Sequence, residues 1–186
     1  MRSTLAFIAI AVTAAPLAAA QTVPVSQFQS VELRGGGSVT VRPGPEQRVT
    51  LVEGDSAITK FAVAADGRLT IDACSRNCPA SYKVRVDIQA PAVPSLRIEG
   101  GGEIVAASGF GRQRHLAAAV SGGGNIDLRS VDAASFNTAI MGGGRIATGT
   151  SPVVNAAING GGLITYAGNP RVSTAIVGGG AVKRAR

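Results

Sequence analysis

The chain has 186 residues and carries 18 Lys or Arg against 11 Asp or Glu, which gives a formal net charge of +7 at pH 7. This length suits about one domain. One His and two Cys leave too few ligands for a zinc centre, and the sparse, unclustered acids argue against a calcium site.

The first twenty residues predict a cleavable secretory signal peptide. Arg2 precedes an apolar run, and Ala18 and Ala20 occupy the small-residue positions before a cut after Ala20. A membrane anchor is the alternative, but the run is short and contains Pro16, whereas a spanning helix needs about 20 apolar residues. We therefore expect residues 21–186 to form an exported protein that does not span the membrane and lies in the periplasm, on the cell surface or outside the cell.

The segment between residues 42 and 91 predicts short strands. A turn at 42–47 precedes alternating runs, and Asp66-Gly67 is a hairpin signal between two of them. In "KVRVDIQAP" apolar and polar residues alternate until Pro91, which indicates a further strand.

Cys74 and Cys78 are the only cysteines, and we predict that they form a disulfide in an oxidising compartment. A metal site and a redox pair are the alternatives. A metal site would need two more ligands nearby, and the only histidine, His115, lies far along the chain.

A glycine triplet recurs along the chain, beginning at residues 35, 100, 122, 142, 160 and 178. The last four steps are 22, 20, 18 and 18 residues. Two positions before each triplet stand Leu33, Ile98, Val120, Ile140, Ile158 and Ile176. Two positions after its last glycine stand Val39, Ile104, Ile126, Ile146, Ile164 and Val182. The immediate flanks of the triplets are mixed in character.

This alternation has the period of two that is typical of β-strands, with the aliphatic columns facing inward and the mixed columns outward. One such unit cannot bury its apolar face alone, but stacked units can. We predict an all-β, single-domain, right-handed parallel β-helix (solenoid) over residues 21–186, with triplet-containing coils of about 18–22 residues. The glycines would shape each coil at one place through a sharp bend or a close backbone approach. A phosphate-binding loop is the alternative, but no Walker or G-x-G-x-x-G spacing is present.

The residues in "FQSVELRGGGSVTVRPGPEQRVTLVEG", "DGRLTI" and "SLRIEGGGEIV", with the later triplets, resemble the head GIN domain family of autotransporter adhesins. The resemblance covers nearly all of residues 21–186. It implies a β-solenoid, an envelope or secreted location, and no established catalytic residues. We predict no cofactor.

Catalytic residues are hard to assemble from this sequence. His115 lies in "GRQRHLA" beside Arg112 and Arg114, which disfavour an imidazolium, and no carboxylate is local, so we interpret it as a surface residue. The same stretch, "GRQRHLAAAV", could form a helical turn or a loop that leads into the coil at Ala118. A polysaccharide-acting enzyme is the alternative function, and its candidate carboxylates are Glu99, Glu103 and Asp127.

Charge is unevenly distributed. Residues 21–103 carry nine cationic and nine anionic side chains, whereas residues 104–186 carry eight Lys or Arg against two Asp. Guanidinium groups suit carboxylates and phosphates, so we predict anion binding, with an anionic polysaccharide or envelope lipid phosphates as partners. The candidate anion-binding residues are Arg112, Arg114, Arg129 and Arg145. Export and scarce aromatic residues argue against nucleic acid as a partner in the cell.

The last residues of the sequence are basic. Lys183, Arg184 and Arg186 follow the final triplet, where they could guard an open strand edge or border a homodimer interface formed by the C-terminal coil. Overall we predict a non-enzymatic envelope or secreted module for binding or structural support.

Overall fold

The computed structural model describes residues 20–185, and every regular element in that part of the chain is a β-strand. The predicted signal peptide, apart from Ala20, therefore lies outside the described residues, and so does Arg186. In chain order the strands are β1 (Gln21–Val23), β2 (Ser30–Arg34), β3 (Ser38–Pro43), β4 (Arg48–Glu53), β5 (Lys60–Val63), β6 (Arg68–Asp72), β7 (Arg85–Ala90), β8 (Ser95–Gly100), β9 (Glu103–Ala106), β10 (Gln113–Gly122), β11 (Asn125–Leu128), β12 (Ala133–Gly142), β13 (Arg145–Thr150), β14 (Val153–Asn159), β15 (Leu163–Ala167), β16 (Arg171–Val177) and β17 (Ala181–Arg184).

The strands form two mixed sheets. One has nine strands in the order β1-β4-β7-β3-β9-β11-β13-β15-β17, and the other has eight in the order β16-β14-β12-β10-β8-β2-β6-β5. From β8 onward the chain alternates between the sheets, and each strand pairs in parallel with the strand two places later. The all-β prediction is confirmed for the described residues.

The aliphatic columns predicted from the triplet spacing are ladders of register partners. In the eight-stranded sheet Leu33 pairs with Ile98, and the column continues through Val120 to Ile140. In the nine-stranded sheet Val39 pairs with Ile104, and that column continues to Ile164. These residues are buried and belong to one apolar cluster that includes side chains from both sheets.

The outer strand β16 departs from this burial pattern. Ile176 continues the column that contains Ile140, yet 42% of its surface is exposed, compared with 1% for Ile140. Within the described range β16 has a strand on one side only. The core is therefore less covered at this end.

The N-terminal part of the fold includes antiparallel pairs. The hairpin predicted at Asp66-Gly67 joins β5 to β6, and Gly67 has a φ of +74°. The pairs β1–β4 and β4–β7 are also antiparallel, which the sequence did not predict.

The interpretation of "GRQRHLAAAV" as a helical turn or a loop leading to Ala118 is wrong. Residues from Gln113 onward already belong to β10. Leu116 is buried opposite Phe136, so the inward alternation that continues at Ala118 begins earlier than expected.

The triplet glycines have three different environments, as 142–144 illustrate. Gly142 has a φ of +118°, and a Cβ there would lie 2.7 Å from the carbonyl oxygen of Gly122. A Cβ on Gly144 would overlap the Val120 side chain and lie 2.8 Å from the Gly124 oxygen, whereas one on Gly143 would meet open space. The first and third glycines therefore permit close stacking of successive triplets.

Candidate functional site

The four arginines proposed for anion binding do not converge. All four are exposed. Arg129 and Arg145 line one cavity of about 250 Å³ beside the nine-stranded sheet, with Asp127 in its wall. Arg112 borders a separate cavity of about 280 Å³, whose lining includes Asp132. Arg114 lies on β10 in the other sheet and lines neither cavity.

Arg129 is already paired with a carboxylate. Its Nε lies 3.0 Å from both oxygens of Asp127, and its Nη2 also contacts Oδ2. The hydrogen bonds from Arg129 lower the pKa of Asp127, and the same contact raises the pKa of Arg129. Arg129 therefore has less capacity for a ligand than the sequence suggested.

The three carboxylates considered for glycoside hydrolysis lie on different sheets. Glu99 is on β8, 3.2 Å from Arg34 and 3.6 Å from Arg97. Glu103 and Asp127 belong to the nine-stranded sheet, where Glu103 accepts a 2.8 Å hydrogen bond from Asn125. A general acid needs a raised pKa, and the pKa of Asp127 is lowered.

His115 has a serine partner that the sequence analysis missed. His115 and Ser135 are register neighbours on β10 and β12, and His115 Nδ1 lies 2.6 Å from Ser135 Oγ. His115 is exposed. In a catalytic triad a carboxylate binds His Nδ1 and orients the ring, but here Nδ1 contacts the Ser135 hydroxyl instead.

A groove lies on the outer face of the eight-stranded sheet. Its volume is about 620 Å³, within the roughly 300–1,000 Å³ that is usual for ligand pockets. The lining residues come from seven neighbouring strands, β6, β2, β8, β10, β12, β14 and β16. Since neighbouring strands lie about 4.8 Å apart, the groove spans roughly 29 Å across the sheet.

Two columns of small side chains form the groove floor. The alanine column consists of Ala119, Ala139, Ala157 and Ala175, and the amide column consists of Ala117, Asn137, Asn155 and Ser173. In the amide column Asn155 Nδ2 donates a 2.8 Å hydrogen bond to Asn137 Oδ1.

Larger side chains border the floor. Met141 and Val177 lie two residues beyond the alanine column on their strands, and 62% and 68% of their surfaces are exposed. His115 and Arg171 lie two residues before the amide column. Because residues two apart share a face of a strand, small residues between larger ones produce the depression.

Within residues 20–185, Arg68 and Arg97 are the only charged residues that line the groove, and both lie at one end of it. Arg97 on β8 is the register partner of Ala119, so it heads the alanine column. Arg68 lies on β6, beyond the intervening strand β2. The positive charge of the lining is therefore confined to this end.

Glu32 lies behind the two arginines and is only 1% exposed. Its nearest cationic nitrogen belongs to Arg34, at 2.9 Å, and Arg68 and Arg97 approach to 3.1 and 4.0 Å. The 3.1 Å contact joins Arg68 Nε to Glu32 Oε2, and both atoms are buried. They form an ion pair without hydrogen-bond geometry, so the negative charge of Glu32 is compensated by the surrounding arginines.

Most of the described chain, including the strands that form the groove as far as β14, matches one protein family. The family described as "Putative auto-transporter adhesin, head GIN domain" matches residues 27–114 and 106–170. The chain belongs to this family. No curated protein matches this head GIN domain.

Three solved structures resemble this head GIN domain at low identity. A putative adhesin from Bacteroides fragilis is 16% identical, with a TM-score of 0.49, and the match covers 89% of this chain and 96% of that chain. A putative adhesin from Parabacteroides merdae is 14% identical, with a TM-score of 0.43 and coverage of 90% and 96%. A putative lipid binding protein from Parabacteroides distasonis is also 14% identical, with a TM-score of 0.36 and coverage of 90% and 96%. At these scores the likeness carries no inference about ligands.

Two further features of the head GIN domain bear on the sequence predictions. Cys74 and Cys78 are joined in a disulfide, with their Cα atoms 5.7 Å apart. Residues 20–185 include no helix with the length and hydrophobicity that crossing a membrane requires.

The sequence contains a signal for the groove in the residues that precede each triplet. The residue three positions before the triplet is Ala in each of the last four units, Arg97 in the second unit and Glu32 in the first. The residue five positions before the triplet is Ala, Asn or Ser in all six units, including Ser30 and Ser95 in the first two. Outward positions this small predict a depression once the strands are known to be in register.

Proposed function

We propose that this head GIN domain is an exported, non-enzymatic binding module that holds its ligand in the groove of the eight-stranded sheet. The observation that carries the proposal is a 620 Å³ groove whose only charged lining residues are Arg68 and Arg97. Family membership supports an adhesin-like role. The predicted signal peptide supports a place in the periplasm, on the cell surface or outside the cell.

The ligand in this proposal is anionic, either an acidic polysaccharide or the phosphate groups of envelope lipids. Arg68 and Arg97 would supply specific contacts, because guanidinium groups bind carboxylate and phosphate in defined geometry. Arg112, Arg114 and Arg145 are dispersed over the surface and would add a general attraction that salt screens.

We also propose that the two sheets are the faces of a right-handed parallel β-helix. The support is the register of the ladders, in which the triplets of successive units align at Gly100, Gly122 and Gly142. The alternation of the chain between the sheets from β8 onward agrees with one turn for each unit.

A homodimer through the C-terminal coil also belongs to the proposal. The strands β16 and β17 form the edges of the two sheets in the part of the chain that the structure describes. Ile176 and Val177 are exposed there, and an edge strand can pair with another chain.

Binding assays with defined probes test the proposed function. We expect polygalacturonate or phosphatidylglycerol vesicles to bind, the affinity to fall with added salt, and no oligosaccharide to be released from polysaccharide during the assay. Ala139→Glu places a negative charge on the groove floor and should weaken binding at least about tenfold, since a like charge opposes an anionic ligand.

Ala147→Glu on β13 is the matched control. It lies beside Arg129 and Arg145 on the other sheet. If Ala147→Glu weakens binding and Ala139→Glu does not, the ligand lies at the cavity of those two arginines and the groove proposal is wrong. Released oligosaccharide would instead support the polysaccharide-acting enzyme.

A further inference from the structure

We infer that the groove binds a single-headed anionic amphiphile, with its phosphate or carboxylate at Arg68 and Arg97 and its alkyl chain along the alanine column. The inference rests on the proposed function, because it takes the groove as the ligand surface. It narrows the two proposed partners to a lipid-like molecule.

The distribution of charge along the groove favours this ligand over a polyanion. An acidic polysaccharide carries charge at regular intervals and would need cations along the whole floor. The floor between β10 and β16 is lined by Ala, Asn, Ser and Thr, with both arginines beyond one end of it. One cationic end and an uncharged remainder match a molecule with one charged end.

The head-group end has donors available to a ligand. Arg34 donates a hydrogen bond to Glu32 at 2.9 Å, so Arg34 is already used. Arg97 lies 4.0 Å from Glu32 and 3.6 Å from Glu99, both longer than a hydrogen bond. Arg68 is ion-paired on its inner side, with Nε 3.1 Å from Glu32 Oε2 and Nη2 3.4 Å from Asp66, but 40% of its side chain is exposed and it lines the groove. Arg97 therefore supplies the principal donors to an anion, and the exposed part of Arg68 lies at the same end of the groove.

The alanine column offers an apolar path for an alkyl chain, and the path leads away from the two arginines. It begins at the register partner of Arg97 and continues through four strands to Ala175. The column spans three strand spacings, about 14 Å, and Arg97 on β8 lies one spacing further, so the path from Arg97 to Ala175 is about 19 Å. Met141 and Val177 add exposed apolar surface in the adjacent row, with Asn159 between them. On the other side, the hydrogen bond that Asn155 Nδ2 donates to Asn137 Oδ1 satisfies one donor and one acceptor.

Titration calorimetry with alkyl phosphates below their micelle concentrations tests the inference. Hexyl, decyl and tetradecyl phosphate should bind with increasing affinity. Full burial of a methylene corresponds to about a fourfold gain, so a half-buried chain should gain about twofold for each methylene. Inorganic phosphate and decyl maltoside, which lack the chain and the charge respectively, should bind much more weakly than decyl phosphate.

Paired variants locate the ligand. Arg97→Gln should weaken tetradecyl phosphate binding at least about tenfold, and Arg97→Lys, which retains the charge, should weaken it less. Ala157→Phe fills the floor and should reduce the chain-length dependence, whereas Ala147→Phe on the opposite sheet should not. Circular dichroism identifies any variant that fails to fold, and the Phe pair tests the site independently of Arg97.

The outcomes separate the inference from the proposed function. Binding of polygalacturonate that Ala157→Phe abolishes, without binding of alkyl phosphates, would overturn the inference and retain the groove as a binding site. If neither polygalacturonate nor the alkyl phosphates bind, both the inference and the proposed function are wrong. Co-sedimentation with phosphatidylglycerol vesicles distinguishes a head group presented by a membrane from a free amphiphile.

Discussion

Gly144 lies against Val120 of the preceding unit so closely that a Cβ on this glycine would overlap the valine side chain. The equivalent glycines Gly162 and Gly180 face Ile140 and Ile158 in the same way. Because the third glycine of each of these triplets has no side chain, the aliphatic residue of the preceding unit packs directly against its backbone. Glycine spacing and core packing are consequently one feature of the sequence.

This relationship predicts different costs for neighbouring alanine substitutions. Gly144→Ala should destabilise the protein by about 1–3 kcal/mol, because overpacking displaces Val120 and the backbone at Gly124. Gly143→Ala, where the Cβ meets open space, should change stability by less than about 0.5 kcal/mol. Urea denaturation of both variants measures the difference, and equal losses would contradict the assigned packing.

The aliphatic ladder predicts that position within one column decides the cost of a charge. Ile140→Asp should cost more than about 4 kcal/mol, because it buries an unpaired carboxylate in the core. Ile176→Asp in the same column should cost much less, since Ile176 is 42% exposed. Met141→Asp, on the outer face, should be tolerated. Thermal unfolding ranks the three, and a loss at Met141 as large as that at Ile140 would reverse the assignment of faces.

Much of the fold could be predicted because one local pattern repeats. Ile98, Val120 and Ile140 share a position relative to the triplet, and that shared position specifies their register. The hairpin at Asp66-Gly67 was also predictable, since its signal is two adjacent residues. By contrast, β4 pairs with β7 and β2 pairs with β6 as well as with β8. The β4–β7 and β2–β6 contacts join segments that share no repeated motif.

The site was less predictable for the same reason. The alanine column follows from the triplet spacing, but the end of the groove does not. Arg68 reaches the groove because β6 pairs with β2, and nothing local in the sequence predicts that pairing. Net charge directed attention to Arg129, whose charge Asp127 already neutralises, whereas Arg68 and Arg97 belong to a half of the sequence with no net charge.

The contact between Asp127 and Arg129 predicts a dependence of stability on pH. The hydrogen bonds from Arg129 lower the pKa of Asp127 in the folded state, below the roughly 3.9 of an unfolded chain. The stabilisation is therefore complete above the unfolded pKa and is lost as the pH falls through the folded pKa. Asp127→Asn should lower the Tm near pH 7 by at most a few degrees, since exposed pairs contribute little. The difference from wild type should shrink below about pH 4, and a difference that persists at pH 2 would contradict this origin.

The disulfide predicts protected thiols and a modest contribution to stability. Cys74 and Cys78 in protein isolated from an oxidising compartment should react with a maleimide reagent only after reduction. The double substitution to Ser should cost at most about 2 kcal/mol, because a loop this short loses little entropy when it closes. Mass spectrometry of the labelled protein counts the thiols, and labelling before reduction would contradict the pairing in the exported protein.

The exposed residues of β16 predict the oligomeric state. Val177 lies at the edge of the described sheet, and Met141 occupies the same outward row two strands further in. If a second copy pairs along β16, we expect a homodimer by multi-angle light scattering that Val177→Ser weakens and Met141→Ser leaves intact. Both side chains are more than half exposed, so neither change should unfold the protein. A monomer at every concentration would exclude the interface at β16. Loss of the dimer with Met141→Ser as well would place the interface on the outer face of the sheet rather than at its edge.

The cations of β17 predict protection against further association. Lys183 and Arg184 would lie at the rim of the dimer interface, where cations discourage further edge pairing. Replacing both with Ser should therefore increase aggregation without removing the dimer, and light scattering measures both.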